Sequence, residues 1–153
     1  SKTLILEKNN VIALEILEEV KKEFEAMCEV KQVDIVIEAD SHTKIYCDKK
    51  WTIEAIENIV KNAIEHKSKQ IILRAIDCHI YTQIDIQDDG EGIDEKDVTH
   101  IFERFYKAKN SKENSLGLGL AFSKSIILNQ EGDIKVRTIR EKGTKFEIKL
   151  YNL

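Results

Sequence analysis

Apolar residues recur along residues 11–27 at Ile12, Ile16, Val20, Phe24 and Met27, a spacing that lines them up on one stripe of an α-helix. Asn9 and Asn10 stand just before it as candidate caps. Residues 33–38 (VDIVIE) alternate apolar and polar with the period of a strand, and residues 43–47 (TKIYC) do so less cleanly. Residues 50–66 predict a second helix, with Ile53, Ile56, Val60, Ala63 and Ile64 on one face. Residues 70–76 and 79–86 predict two strands joined through Asp77-Cys78 as a hairpin. A short helix is expected over 95–104. Residues 116–129 begin with glycines and turn into a helix. Residues 133–140 and 144–150 alternate as strands around Glu141-Lys142-Gly143, a hairpin turn.

Helices with a single apolar stripe must cover a sheet. The pattern therefore predicts an α/β (α+β) fold: a two-layer sandwich, with a mixed sheet of about five strands covered on one face by about three helices. The chain shows neither repeat nor linker, so residues 1–153 are expected to form one domain.

Charge narrows the partners. The net charge is −4, and a chain this acidic lacks the positive field that non-specific binding to nucleic acid or an anionic membrane requires. No apolar run approaches the roughly 20 residues of a spanning helix, and no signal peptide is present. Cys28, Cys47 and Cys78 never form a C-x-x-C pair, which fits reduced, mostly buried thiols better than zinc or a disulfide framework.

Five features carry candidate chemistry. On helix 50–66, Glu54, Asn58, Lys61, Asn62 and Glu65 share the polar side, and Asn58 and Asn62 are neighbours at i and i+4. Asparagine has poor helix propensity, so two on one face carry a cost. They are either part of a solvated face or neutral oxygen ligands for a hard cation such as Mg2+. Asp88-Asp89-Gly90-Glu91-Gly92-Ile93 follows a strand; its glycines let a ligand approach the backbone, and Asp88 offers a carboxylate to a donor such as an exocyclic amine. Leu116-Gly117-Leu118-Gly119-Leu120 leaves backbone N–H groups free at a helix start, an anion site. It is neither a Walker A loop nor a dinucleotide fingerprint. Phe102 and Phe105, in Ile101-Phe102-Glu103-Arg104-Phe105-Tyr106, are spaced to anchor one edge of a loop. Gly143-Thr144 opens the last strand. Taken singly, each has an ordinary structural explanation.

Their order does not. Asn-x-x-x-Asn-Ala on a helix, D-x-G-x-G-I after a strand, F-x-R-F, a polar loop, G-L-G-L-A into a helix and G-T before a final strand closely resemble the ATP-binding catalytic domain of sensor histidine kinases. That domain belongs to the wider group that includes gyrase, Hsp90 and MutL ATPases, with the Bergerat-type fold. The resemblance covers about residues 11–150. It implies that Asn62 and Asn58 hold Mg2+ between the phosphates of ATP. It implies that Asp88 accepts from the adenine amine, with Gly90, Gly92 and Ile93 beside the base and Thr144 nearby. His66 falls where the family often has a ring beside the nucleotide. Phe102 and Phe105 match the anchors of an ATP lid over 105–116, mobile without nucleotide, whose Lys107, Lys109 and Lys112 would meet the phosphates. Gly117, Leu118, Gly119 and Leu120 match the glycine box at the triphosphate.

The sequence departs from the family at Glu65, where many members carry a phosphate-neutralising Lys, and at Asn114-Ser115, where a glycine often stands. None of His42, His66, His79 and His100 is followed by an acidic residue, the mark of the family's phosphoacceptor. The resemblance thus implies a catalytic segment, cytoplasmic within a sensor kinase. It would act on a histidine of its own kinase's dimerisation and phosphoacceptor domain, with a response regulator downstream. Two alternatives stay open: a stand-alone serine kinase of the anti-sigma-factor type, and a degenerate module that holds nucleotide without phosphotransfer.

Overall fold

The structure, a computed structural model, describes residues 4–106, 118–139 and 143–152. The elements run β1 (Asn9–Ile12), α1 (Ala13–Glu23), α2 (Glu25–Lys31), β2 (Asp34–Glu38), β3 (Lys44–Cys47) and α3 (Lys49–Glu65). They continue with β4 (Gln70–Asp77), β5 (Tyr81–Asp88), α4 (Glu95–Val98), α5 (Gly119–Asn129), β6 (Asp133–Ile139) and β7 (Gly143–Tyr151). The main sheet has the order β2-β4-β5-β7-β6; β2 and β4 are parallel and the other pairs antiparallel. The fold is thus the expected α+β arrangement, with a mixed five-stranded sheet.

Strand periodicity sorts the two faces of this sheet. Thr82, Ile84, Ile86 and Asp88 of β5 point to the buried face, together with Phe146, Ile148 and Leu150 of β7. The stripes of α1 (Ile16, Leu17, Val20), α3 (Ile56, Ile59, Val60, Ala63) and α5 (Ile126, Ile127) close over them in one core. The opposite face is charged and paired. Arg74 donates to Glu38 and Gln87, Arg137 to Glu147, and Lys145 lies between Asp85 and Glu147. Such open pairs add little stability, but they keep this face from needing a second helical layer.

The first helix differs from its pattern. Val11 and Ile12 leave the predicted helix for β1, which pairs antiparallel with β3 as a separate two-stranded ribbon. Asn9 and Asn10 lie opposite Cys47 and Tyr46 and cap nothing. The first amide of α1, on Ala13, donates to the Thr43 carbonyl at 2.8 Å, so backbone replaces the expected side-chain cap. The helix then breaks at Phe24 (φ −97°, ψ 7°), which turns α2 so that Cys28 is buried and Met27 is not. The expected helix over 95–104 is real only as Glu95–Val98. Beyond it His100, Glu103 and Tyr106 each bond three residues back, a run of turns. The β4–β5 hairpin turns through Cys78–Ile80, with His79 left-handed at φ 68°. The predicted turn residues Glu141 and Lys142 lie outside the described residues, though β6 and β7 pair as expected. Cys28 and Cys47 are buried and Cys78 half-buried, all unpaired; burial pushes the Cys47 thiol up to about 11.

Asp48 joins three parts of the chain. One carboxylate oxygen accepts from Trp51 N–H at 3.0 Å and so caps α3; the other accepts from Glu7 N–H at 2.8 Å. A buried cap with two amides depending on it is worth more than a surface one. Asp48→Ala is expected to lower the unfolding free energy by about 2 kcal/mol, read from urea denaturation with an unchanged slope. A loss below about 0.5 kcal/mol would show that water replaces it freely.

Candidate functional site

Two backbone approaches build one end of the candidate site. At the end of β5, Asp89 accepts from the N–H groups of Lys69 and Gln70 at 2.8 and 2.9 Å, which fixes the turn against the start of β4. Glu91 N–H donates to the His66 carbonyl, and a Cβ on Gly90 would sit 2.6 Å from that oxygen. Gly143, at φ +98°, presses on Asp88 from the other side; a Cβ there would sit 2.1 Å from the Asp88 carbonyl oxygen. Only glycine meets both demands at 143. These contacts bring Thr144 directly opposite Asp88, with both buried. Gly92 approaches the Gly143 carbonyl, and Ile93 packs against the core.

The electrostatics of this corner are those of an incomplete site. Burial lifts the Asp88 carboxyl above its ordinary value, and the Gly90 N–H at 2.8 Å pulls it partly back. The Ser68 hydroxyl also lowers it, but weakly, because its one proton goes to the Ala63 carbonyl at 2.7 Å. His66 is buried at the end of α3, and its Nδ1 has no hydrogen-bond partner among the described residues. A buried polar atom without a partner is costly, so it marks a place where a ligand can contribute.

The other end lies where α3 meets α5. Asn58 and Asn62 project one turn apart from α3, both half-buried. Asn58 donates through Nδ2 to the Gly119 carbonyl at 3.2 Å, which leaves its carbonyl oxygen for another role. Asn62 makes no side-chain hydrogen bond among the described residues. Leu118 is partly exposed and Leu120 packs on the core as α5 begins. A cavity of about 720 Å³ opens here, lined by Leu4, Glu54, Asn58, Arg104, Gly119 and Phe122 among others. Among the described residues no group of three His, Cys, Asp or Glu could hold a metal.

The F-x-R-F segment is split in its roles. Phe102 is an anchor: it meets Phe146 edge-on at 6.0 Å, with Lys124 Nζ 5.2 Å from its centroid. Phe105 is not; it is left-handed at φ 65° and 68% exposed. Tyr106 holds the segment instead. Its hydroxyl donates to the buried Asp97 carboxylate, and its ring stacks on His100 at 5.1 Å. The i, i+3 spacing of the two phenylalanines assumes a continuous helix, and the turns after Val98 remove that assumption. No hydrophobic signal could single out Tyr106 or Asp97. Lys107, Lys109, Lys112, Gly117 and the expected lid they belong to lie outside the described residues.

A mixed sheet with helices on one face, carrying paired asparagines and a glycine-bracketed buried Asp, defines an ATPase of one class. The chain belongs to the histidine kinase-, DNA gyrase B-, and HSP90-like ATPase family, which matches residues 47–152. It is 34% identical over 155 residues to the sensor histidine kinase YclK of Bacillus subtilis (strain 168), covering 98% of this chain and 33% of that protein. It is 32% identical over 118 residues to the sensor histidine kinase YvrG of the same organism, covering 73% of this chain and 20% of that protein. The chain therefore spans about a third or less of these relatives. The fold matches the catalytic domain of histidine kinase ThkA in a nucleotide-free form, with a TM-score of 0.85 at 22% identity over 95% of this chain and 96% of that one.

Asp88 offers a signed test. Its folded pKa is raised, so its contribution to stability is greatest below the ordinary carboxylate value and is lost as pH rises through the folded one. Asp88→Asn keeps an oxygen for the Gly90 N–H and removes the buried charge. At pH 7 the ligand-free variant should melt no lower than wild type, an advantage that disappears in acid. Its affinity for adenosine should fall about tenfold. A lower melting temperature at pH 7, or undiminished adenosine binding by calorimetry, contradicts this assignment.

Proposed function

We propose that this chain binds Mg-ATP and presents the γ-phosphate to a histidine on the dimerisation and phosphoacceptor domain of its own two-component sensor kinase. A response regulator then receives the phosphoryl group. The observation that carries this reading is the joint placement of Asp88, Gly143 and Thr144 at one end and Asn58, Asn62 and Gly119 at the other. The family membership and the sensor-kinase relatives support it. Residues 1–153 would act as one ATP-binding unit, with the acceptor histidine supplied from another domain.

The residues fit the nucleotide by their chemistry. Asp88 would accept from the adenine amine, and the orphaned Nδ1 of His66 lies in the same buried corner. The carbonyl oxygens of Asn62 and Asn58 would hold Mg2+, which completes its shell with phosphate oxygens and water and neutralises charge on the phosphates. Amide ligands add no negative charge beside a polyphosphate, a useful property where the described residues offer no acidic cluster. The N–H groups at the start of α5 point their partial positive charge toward the same end. What this chain contributes to transfer is positioning of the phosphoryl donor, while the attacking group comes from the acceptor. Glu65, half-buried next to His66, adds a negative charge there and weakens binding relative to members with Lys. Among the described residues no helix is long and apolar enough to cross a membrane. The place proposed for the segment is the cytoplasmic part of a sensor.

Asn62→Ala should reduce Mg-ATP affinity at least tenfold, about the cost of a lost cation ligand, with the melting temperature within a few degrees of wild type. Wild-type affinity in calorimetry would remove Asn62 from the site. Incubation with labelled ATP should leave the chain unlabelled and should label an added acceptor domain of its own kinase with acid-labile phosphate. Acid-stable label would favour the serine kinase; no transfer with intact ATP binding would favour the nucleotide-holding module.

A further inference from the structure

Four polar bonds join α5 and its C-cap Gln130 to α3 and its N-cap Asp48, at the two ends and in the middle of their apolar contacts. At the end remote from the nucleotide site, Gln130 accepts from Asp48 N–H at 2.7 Å and donates through Nε2 to Thr52 Oγ1 at 3.0 Å. In the middle, Ser123 Oγ donates to the Ala55 carbonyl at 2.8 Å. At the site, Asn58 Nδ2 donates to the Gly119 carbonyl at 3.2 Å. As the α3 number rises the α5 number falls, so the helices run antiparallel. The bonded stretch is about 15 Å along each.

Apolar contacts between helices resist separation but resist sliding poorly, because one ridge resembles the next. Buried directional bonds add what they lack. Ser123 and Ala55 are fully buried and Gln130 nearly so, which leaves no water to replace a partner that slips away. The Ala55 carbonyl does not depend on the middle bond for satisfaction, whereas the fully buried Ser123 hydroxyl does. A helix carbonyl has a second lone pair, and Ala55 already belongs to the ladder of α3. Ser123 therefore ties the satisfaction of its own buried donor to one axial position of α5 on α3.

We propose that Ser123, with Gln130 behind it, is a positioning residue that fixes the axial register of α5 on α3. In doing so it holds the Gly119 amides at the distance from Asn58 and Asn62 that a metal-bound triphosphate needs. The adenine corner is independent of this register, since Asp88, Gly90 and Thr144 are held by β5, β7 and the end of α3. The inference rests on the nucleotide reading given above, and its consequence is selective: loss of register weakens the phosphate end and spares the base.

Calorimetry with two probes, Mg-ATP and metal-free adenosine, tests it on the intact chain. For Ser123→Ala, Mg-ATP binding should weaken about fivefold or more, one hydrogen bond's worth, while adenosine binding stays within about twofold. Ser123→Cys, which keeps a weak donor of similar size, should recover part of the loss. Gln130→Met cuts the bond at the far end, outside reach of any ligand, and should show the same selective loss; it serves alone if Ser123→Ala does not fold. Parallel weakening of both probes, or unchanged Mg-ATP binding in folded Ser123→Ala and Gln130→Met, overturns the register role. A wild-type chain that binds adenosine but gains nothing from Mg2+ and phosphates overturns the function reading and this inference with it. Normal wild-type binding with unselective variants overturns this inference alone.

Discussion

The pairing of β5 with β7 is the constraint on which the site depends. It sets Asp88 against Thr144, and the left-handed turn into β7 brings Gly143 onto the Asp88 backbone. A slip of one residue in this register would turn Asp88 to the charged open face and put Gln87 into the core. The apolar alternation of Ile84 and Ile86 against Phe146 and Ile148 forbids that slip. The core thus fixes the polar site: the residues that bury oil-like surface determine which face the carboxylate must occupy.

Helix α3 extends the constraint to the second half of the site. Its buried stripe seats it on the sheet and against α5, so its polar side must face the gap where Asn58 meets Gly119. Its C-terminal end delivers His66 to the Gly90–Glu91 turn through a backbone bond. Its N-terminal end is capped by Asp48, which also holds Glu7. One helix therefore measures the distance between the two ends of the ligand site. Ile59, absent from the stripe first read from the sequence, is as buried as Ile56 and Val60 and helps hold it there.

Much of this was legible in the sequence, for a definite reason. The stripe of α3 and the alternation of β4, β5, β6 and β7 are set by long apolar contacts that must satisfy one period, so the period reveals them. The glycine-flanked Asp88 and the paired asparagines were legible because each departs from local preference without local benefit. The failures lie where a second segment supplies what periodicity cannot encode. Val11 and Ile12 fit either a helix or a strand, and β3 decides the matter by pairing with them. Phe105 has the spacing of an anchor, but the chain turns at φ 65° and hands the role to Tyr106 and Asp97. Gln130 and Ser123 carry no sequence signal, because their meaning is a contact between distant positions.

The corner around Asp88 and His66 spends stability that the rest of the fold supplies. Burial opposes a charge on Asp88, and His66 keeps a ring nitrogen without a partner among the described residues. An apolar replacement of His66 would relieve a cost, whereas one at Asp88 would also orphan the Gly90 N–H. Both lie within one corner, walled by two glycines whose only alternative is collision with backbone. Polar groups with unused hydrogen-bonding capacity in a rigid, desolvated wall bind a matching ligand strongly, since the protein has already borne the cost of removing their water. They also reject a ligand whose groups do not match, because an acceptor facing Asp88 would leave two buried acceptors unpaired. On the proposed nucleotide reading, selectivity for the base follows from the same burial that destabilises the empty site, and the tightly paired β5–β7 sheet is what makes that burial tolerable.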